Sequence, residues 1–103
     1  MITYNDIKSN ILDTINLQKI EDQIDKSLIR FHGWYPWEQA IIEGEYSLEA
    51  RNAISQKYIE NGWNYVYHRT SSENGEPFGL TSFKFSSTEL DPLYVRGYHK
   101  CNS

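Results

Sequence analysis

Apolar residues recur along the first third of the chain at helical spacing. Ile7, Ile11 and Ile15 fall at i, i+4 and i+8, and Thr3 with Asp6 three residues on makes a variant of a capping box, which predicts a short helix over residues 4–15. Leu17, Ile20, Ile24, Leu28 and Phe31 continue the rhythm, with Glu21, Asp22, Asp25, Lys26 and Arg30 on the opposite side, and predict a second helix over residues 18–31. Asn16 either separates the two or sits inside one helix of about 28 residues, where it costs only a few tenths of a kcal/mol. Gly33 is a natural stop and Pro36 a natural first-turn residue, so Trp37, Ala40 and Ile41, spaced three and four apart, predict a further short helix over residues 36–43 that ends at Gly44. Ser47 then caps a helix over residues 48–60 in which Ala50, Ala53, Ile54 and Tyr58 face inward, and Asn61-Gly62 closes it.

From Trp63 the period shortens to two. NYVYHRT (residues 64–70) and FGLTSFKFS (78–86) alternate as half-buried strands, the second setting Thr81, Phe83 and Phe85 against Leu80, Ser82 and Lys84. Asn74-Gly75 between them is a strong hairpin signal, favouring positive φ at both central residues, with Glu73 and Glu76 as an acidic tip. Aromatic pairing of Tyr65 and Tyr67 with Phe83 and Phe85 on one face is expected. Leu90 to Tyr98, which contains Pro92 and Gly97, predicts a third strand at the sheet edge, where proline is tolerated. The expectation is an α+β single domain over residues 1–103, with 1–62 mainly helical. Residues 63–98 are expected to be mainly antiparallel β, a hairpin or three-stranded meander packed on the 48–60 helix.

Composition sharpens the functional side of this picture. With 15% aromatic residues the core is expected to be aromatic-weighted, and 103 residues leave room for one compact core. Ten basic residues scattered among fourteen acidic ones, a net charge of −4, argue against backbone-driven nucleic-acid binding. A lone Cys101 excludes an internal disulfide framework and a cysteine zinc site, and fits synthesis in the cytoplasm. MITYNDIKSN has no basic-then-apolar leader pattern and no apolar run approaches a bilayer span, so neither classical export nor membrane insertion is expected.

Candidate chemistry is sparse. His32, His68 and His99 are scattered without metal-ligand spacing, and no metal or cofactor is expected. His68 with Arg69, completed by Glu38 or Tyr67, could flank a phosphate as in a small nuclease, against the plainer reading of polar residues on a wet strand face. Gly75 and Gly79 precede no helix and so make no phosphate loop, while Glu43 and Glu45 read as solvated charges beside Gly44. The cluster GWYPW (33–37) is divided by role: Gly33 and Pro36 turn the corner, Trp37 belongs to the core, and Trp34 and Tyr35 are left for contact with a partner, as are Tyr94 and Tyr98 at the sheet edge.

The segments DIKSNILDTINLQKIEDQI, AIIEGEYSLEARNAISQKYIENGWNYVY and FGLTSFKFS, in that order, resemble small virion-associated proteins of large contractile-tailed bacteriophages, notably those infecting cyanobacteria. The matching positions are Asp6, Ile7, Ser9, Asn10, Ala40, Ile41, Gly44, Gly62, Trp63 and Val66. They follow a "D-I-x-S-N" helix, a long helix ending "A-I-x-x-G", and a helix leading into "G-[YW]-x-[IV]" and an aromatic hairpin. The chain departs from that pattern in GWYPW and in its ending, LDPLYVRGYHKCNS. The resemblance implies a non-enzymatic structural component of the particle (head, neck or tail), located in the virion and bound to other virion proteins or to itself in a symmetric array. It assigns no catalytic residue. A phage-encoded inhibitor of a host or defence protein and a small nuclease using His68 and Arg69 are the alternative expectations.

Overall fold

A computed structural model of the chain describes the backbone of residues 4–102 and the side chains of residues 18–102. It is α+β, with two helices on one face of a four-stranded antiparallel sheet. The elements in chain order are α1 (Tyr4–Phe31), β1 (Glu38–Glu43), α2 (Leu48–Glu60), β2 (Tyr65–Thr70), β3 (Leu80–Ser86) and β4 (His99–Asn102), and the strand order is β1-β3-β2-β4. Residues 4–31 form one helix of 28 residues, which settles the alternative at Asn16. The Thr3 cap and the Ile7, Ile11, Ile15 and Leu17 stripe, together with the resemblance positions Asp6, Ile7, Ser9 and Asn10, lie outside the described residues or side chains.

The core is one cluster: Ile20 and Ile24 of α1, Ala40 and Ile42 of β1, Ile54 of α2, Val66 of β2, and Phe83 and Phe85 of β3. Leu28, Tyr58, Ile59 and Trp63 close its margins. Ser47 caps α2 by accepting the Ala50 N–H at 3.2 Å, as its sequence position predicts, and Gly62 takes the left-handed conformation that ends the helix turn (φ 116°). Ala53, expected inside, is exposed; the inward face of α2 runs through Ile54 and the polar pair Arg51 and Ser55.

Four expectations are corrected. The helix expected over residues 36–43, and with it the "A-I-x-x-G" helix end, is strand β1. Residues 38–43 satisfy a period of two as well as one of 3.6, and β3, apolar toward the helices, needs a second hydrogen-bonded neighbour that only β1 supplies, with Ala40 opposite Phe83. Ala40 and Ile42 therefore face the helices while Ile41 points away and is exposed. Tyr65 and Tyr67 do not share a face with Phe83 and Phe85: Tyr67 pairs with Lys84, whereas Val66 and His68 pair with Phe85 and Phe83. The hairpin connection is a 3-10 turn over Ser72–Asn74 closed by Gly75 at φ 73°, and Asn74 keeps negative φ. Finally, Leu90 to Tyr98 is no strand. Asp91 opens a turn by accepting the N–H groups of Leu93 (2.9 Å) and Tyr94 (2.9 Å), Pro92 continues it, and the edge strand is β4, at 99–102 beside β2.

The outer edge of β1 is closed at its middle by a side chain. Ile41 N–H donates to Ser27 Oγ (2.8 Å), and the Ser27 hydroxyl donates back to the Ile41 carbonyl (3.2 Å), so at Ile41 α1 occupies the pair of hydrogen bonds that another strand would seek. Ser27→Ala should cost about 1 to 3 kcal/mol, because it strands two backbone groups in a part-buried setting. Urea unfolding should show a lower midpoint with an unchanged slope.

Candidate functional site

The sheet face away from the helices carries Gln39, Lys84, Tyr67 and Lys100 in one row and Ile41, Ser82 and Arg69 in the next. The turn-rich segment 87–98 crosses it, anchored where the Leu90 N–H donates to the Tyr67 hydroxyl at 3.1 Å. Under this segment the aromatic rings converge. Trp37, 9% exposed, gives its indole N–H to Gln39 Oε1 at 2.8 Å and is stacked parallel to Tyr35 at 5.3 Å and tilted against Tyr94 at 5.1 Å. The buried Lys84 ammonium lies 4.3 Å from the Trp37 ring centre and 4.7 Å from that of Tyr98, and it donates to the Tyr94 carbonyl. Arg69 lies 5.1 Å over the Tyr98 ring. Burial, and secondarily the charge of Arg69, lowers the Lys84 pKa. The two cations are held against ring faces, with one carboxylate, Glu76, 3.7 Å from Arg69.

Three of the four residues expected to meet a partner are thus brought together. Tyr35 and Tyr94 remain 42% and 53% exposed on the outside of the cluster, while Tyr98 is half-buried within it and holds Arg69 and Lys84. Trp34, 69% exposed, is separate: it lies edge-on to Phe31 at 5.5 Å, at the end of α1. Trp37 is buried as expected but in this second layer, away from the helix-facing core.

A second constellation lies on the helix side, between α2, β2 and β4. Glu73 Oε1 accepts from Arg51 Nη1 (2.5 Å), Thr70 N–H (2.8 Å) and the Thr70 hydroxyl (3.0 Å), and Oε2 accepts from His99 Nε2 (2.7 Å). Arg51 above all holds the Glu73 carboxyl well below the usual carboxylate range. One carboxylate so ties helix, hairpin and edge strand. Glu73→Gln should lower stability by about 2 kcal/mol, read as a fall in thermal midpoint.

Next to it His68, fully buried and stacked at 5.4 Å on His99, shares its Nε2 between Asn52 Oδ1 (2.9 Å) and Cys101 Sγ (3.5 Å), while Cys101 also reaches Asn52 Oδ1 at 3.4 Å. His68 Nδ1 has no partner among the described residues. That pattern favours a neutral ring with the proton on Nε2, given to Asn52, because the opposite tautomer would bury an unpaired N–H. Burial, assisted by the Arg51 charge, pushes His68 down to about 4, and burial pushes the Cys101 thiol up. Thiol, imidazole and amide are adjacent as in a Cys-His-Asn site, but thiol and amide compete for one nitrogen and no described residue orients the ring from the other. Both shifts disfavour a thiolate–imidazolium pair here.

His68 and Arg69, paired in the nuclease reading, point to opposite faces of β2, so one phosphate cannot meet both. Glu38 is bonded to His32 at 3.0 Å, and Glu45 accepts the Ser72 N–H at 2.6 Å. Among the described residues no group of three or more His, Cys, Asp or Glu side chains is arranged to hold a metal ion, and no helix is long and apolar enough to cross a membrane. The chain matches no family model, no curated protein and no solved structure.

Sequence reasoning missed Arg51, Asn52, Glu73 and Lys84. Only Lys84 had a usable signal, a lysine between Phe83 and Phe85 in an alternating strand, and even that marks it as outward-facing, with the burial coming from segment 87–98.

Proposed function

We propose that this protein is a non-enzymatic binding protein that works through protein–protein contacts as a component of a bacteriophage particle. The observation that carries the binding role is the pair of exposed rings, Tyr35 and Tyr94, seated on the buried Trp37. A rigid base with large, low-entropy aromatic area and polar tips is what interface centres use. The phage attribution is supported by the order of the three sequence segments and by the small size of the chain, for which repeated copies in an array would raise avidity without new contacts.

Mass spectrometry of purified particles from the encoding phage is the test, with stoichiometric presence as the expected result. Complete absence from particles sinks the virion reading and leaves an inhibitor of a host protein as the binding role to pursue. Tyr94→Ala, which removes a half-exposed ring packed on Trp37, should lower the thermal midpoint far less than Trp37→Ala while reducing incorporation by about tenfold or more. Undiminished incorporation of that variant would move the contact elsewhere.

A further inference from the structure

We infer that β4 is an acid-released edge strand: a proton taken up by His68 detaches His99–Asn102 from β2 while the rest of the fold stays intact. The histidine lies on the helix side of the sheet, on the opposite face from the Tyr35 and Tyr94 contact surface.

His68 is fully buried and its Nε2 is occupied by Asn52 and Cys101, so an added proton must arrive at Nδ1, the nitrogen without a partner among the described residues. It meets no acceptor there, and a buried charge with an unpaired donor is costly. The groups around the ring give little help. From α2, the buried Arg51 guanidinium opposes a charge on the ring, and Asn52 is neutral. From β4, the His99 ring stacked at 5.4 Å opposes it too, while the Cys101 thiol is kept protonated by burial. From β3 comes only the apolar Phe83 ring, at 6.1 Å. From the turn after β2, Glu73 alone favours the charge, and its oxygens are already engaged by Arg51, Thr70 and His99.

Hydration would relieve the charge, and β4 is the wall that can give way. It has four residues, of which His99, Lys100 and Asn102 are exposed, and it pairs on one side only, with β2. Short edge elements of this kind open at lower free energy than the core. The other walls are fastened: α2 carries the fully buried Ile54, and β3 lies between β1 and β2 with Phe83 and Phe85 in the core. Beyond its ladder with β2, β4 is tied by His99 to Glu73, by Cys101 to His68 and Asn52, and by the exposed pair of Lys100 with Glu89. The first two of these ties belong to the histidine cluster itself. Departure of β4 removes the stacked ring and the thiol from His68, admits water to the imidazolium, and uncovers the β2 edge over Tyr65–His68.

Cys101 is the chain's one cysteine and lies in β4, so its labelling by a dithiodipyridine reagent, which reacts in acid, reads the release in unaltered protein. The rate at each pH is divided by that of the urea-unfolded chain, which removes the thiol's own ionisation. With β4 released the ring takes its proton near the ordinary 6.5, and with β4 docked only near 4, so between these values the released form binds more protons and gains as pH falls. The ratio should rise by roughly tenfold per pH unit from about 6 to 4.5. Low urea should change it little, as for a local opening, whereas global unfolding at the same pH depends steeply on urea. His68→Gln, checked for folding by circular dichroism, should flatten the ratio across that window. Should this variant fail to fold, amide exchange in unaltered protein decides: the β2–β4 ladder should open at lower free energy than the β1–β3 ladder throughout the window. A ratio that ignores pH, a urea dependence equal to that of global unfolding, an undiminished rise in His68→Gln, or equal opening of the two ladders overturns the inference.

Discussion

Trp37→Ala is expected to destabilise the fold by about 3 to 5 kcal/mol, the usual cost of truncating a buried large aromatic residue. The indole fills the space between Tyr35, Tyr94 and Lys84 and satisfies Gln39 Oε1, so its loss opens a cavity and removes one of the two rings that face the Lys84 ammonium. For a domain of this size the thermal midpoint should fall by roughly 15 °C or more. Trp34→Ala is the matched control: its ring is mostly in solvent, and its midpoint should move little. Comparable losses in the two variants would mean that Trp37 carries no special packing role. The same comparison separates the two ends of GWYPW, since only Trp37 organises the platform on which Tyr35 and Tyr94 sit.

Between about pH 6.5 and 4 the protein should lose about 3 kcal/mol of stability through His68 alone. The unfolded chain takes up a proton on this histidine near 6.5, whereas in the fold burial delays uptake to about 4. Within that window the unfolded state binds more protons, so stability falls as pH falls. Glu73 acts in the same direction lower down: held below its ordinary 4.5, chiefly by Arg51, it contributes stability above that pH and loses it as acid protonates the carboxylate. Urea unfolding at a series of pH values measures both. His68→Gln removes the titrating ring and should flatten the upper part of the profile, and an unchanged slope in that variant would show that the acid sensitivity arises elsewhere.

The candidate site was half legible before the fold was known. Tyr35, Tyr94 and Tyr98 are identifiable as partly exposed aromatics near a corner and an edge, but that they surround Lys84 depends on β1 and β3 lying side by side and on segment 87–98 folding over them. Trp34 and Tyr35 are adjacent in sequence yet serve different surfaces, because the chain leaves α1 at Gly33 (φ 84°) and enters β1 within five residues. The Glu73 tie is less legible still. Its partners lie 3, 22 and 26 residues away, and no local pattern links a turn glutamate to a helix arginine and a terminal histidine.

By itself the sequence determined the α+β class, the long first helix up to the Asn16 alternative, the Ser47-capped helix and the antiparallel pairing of residues 64–70 with 78–86, because periodicity, caps and turn residues act over a few neighbours. Tertiary structure alone decided the rest. Alternation in NYVYHRT gives a period of two but not its phase, and with both faces of the sheet covered, by helices on one side and by segment 87–98 on the other, aromatic residues suit either. Six residues, Glu38–Glu43, that fit both a helical and an extended pattern became a strand because β3 had an unpaired edge, and backbone groups buried at such an edge must find partners.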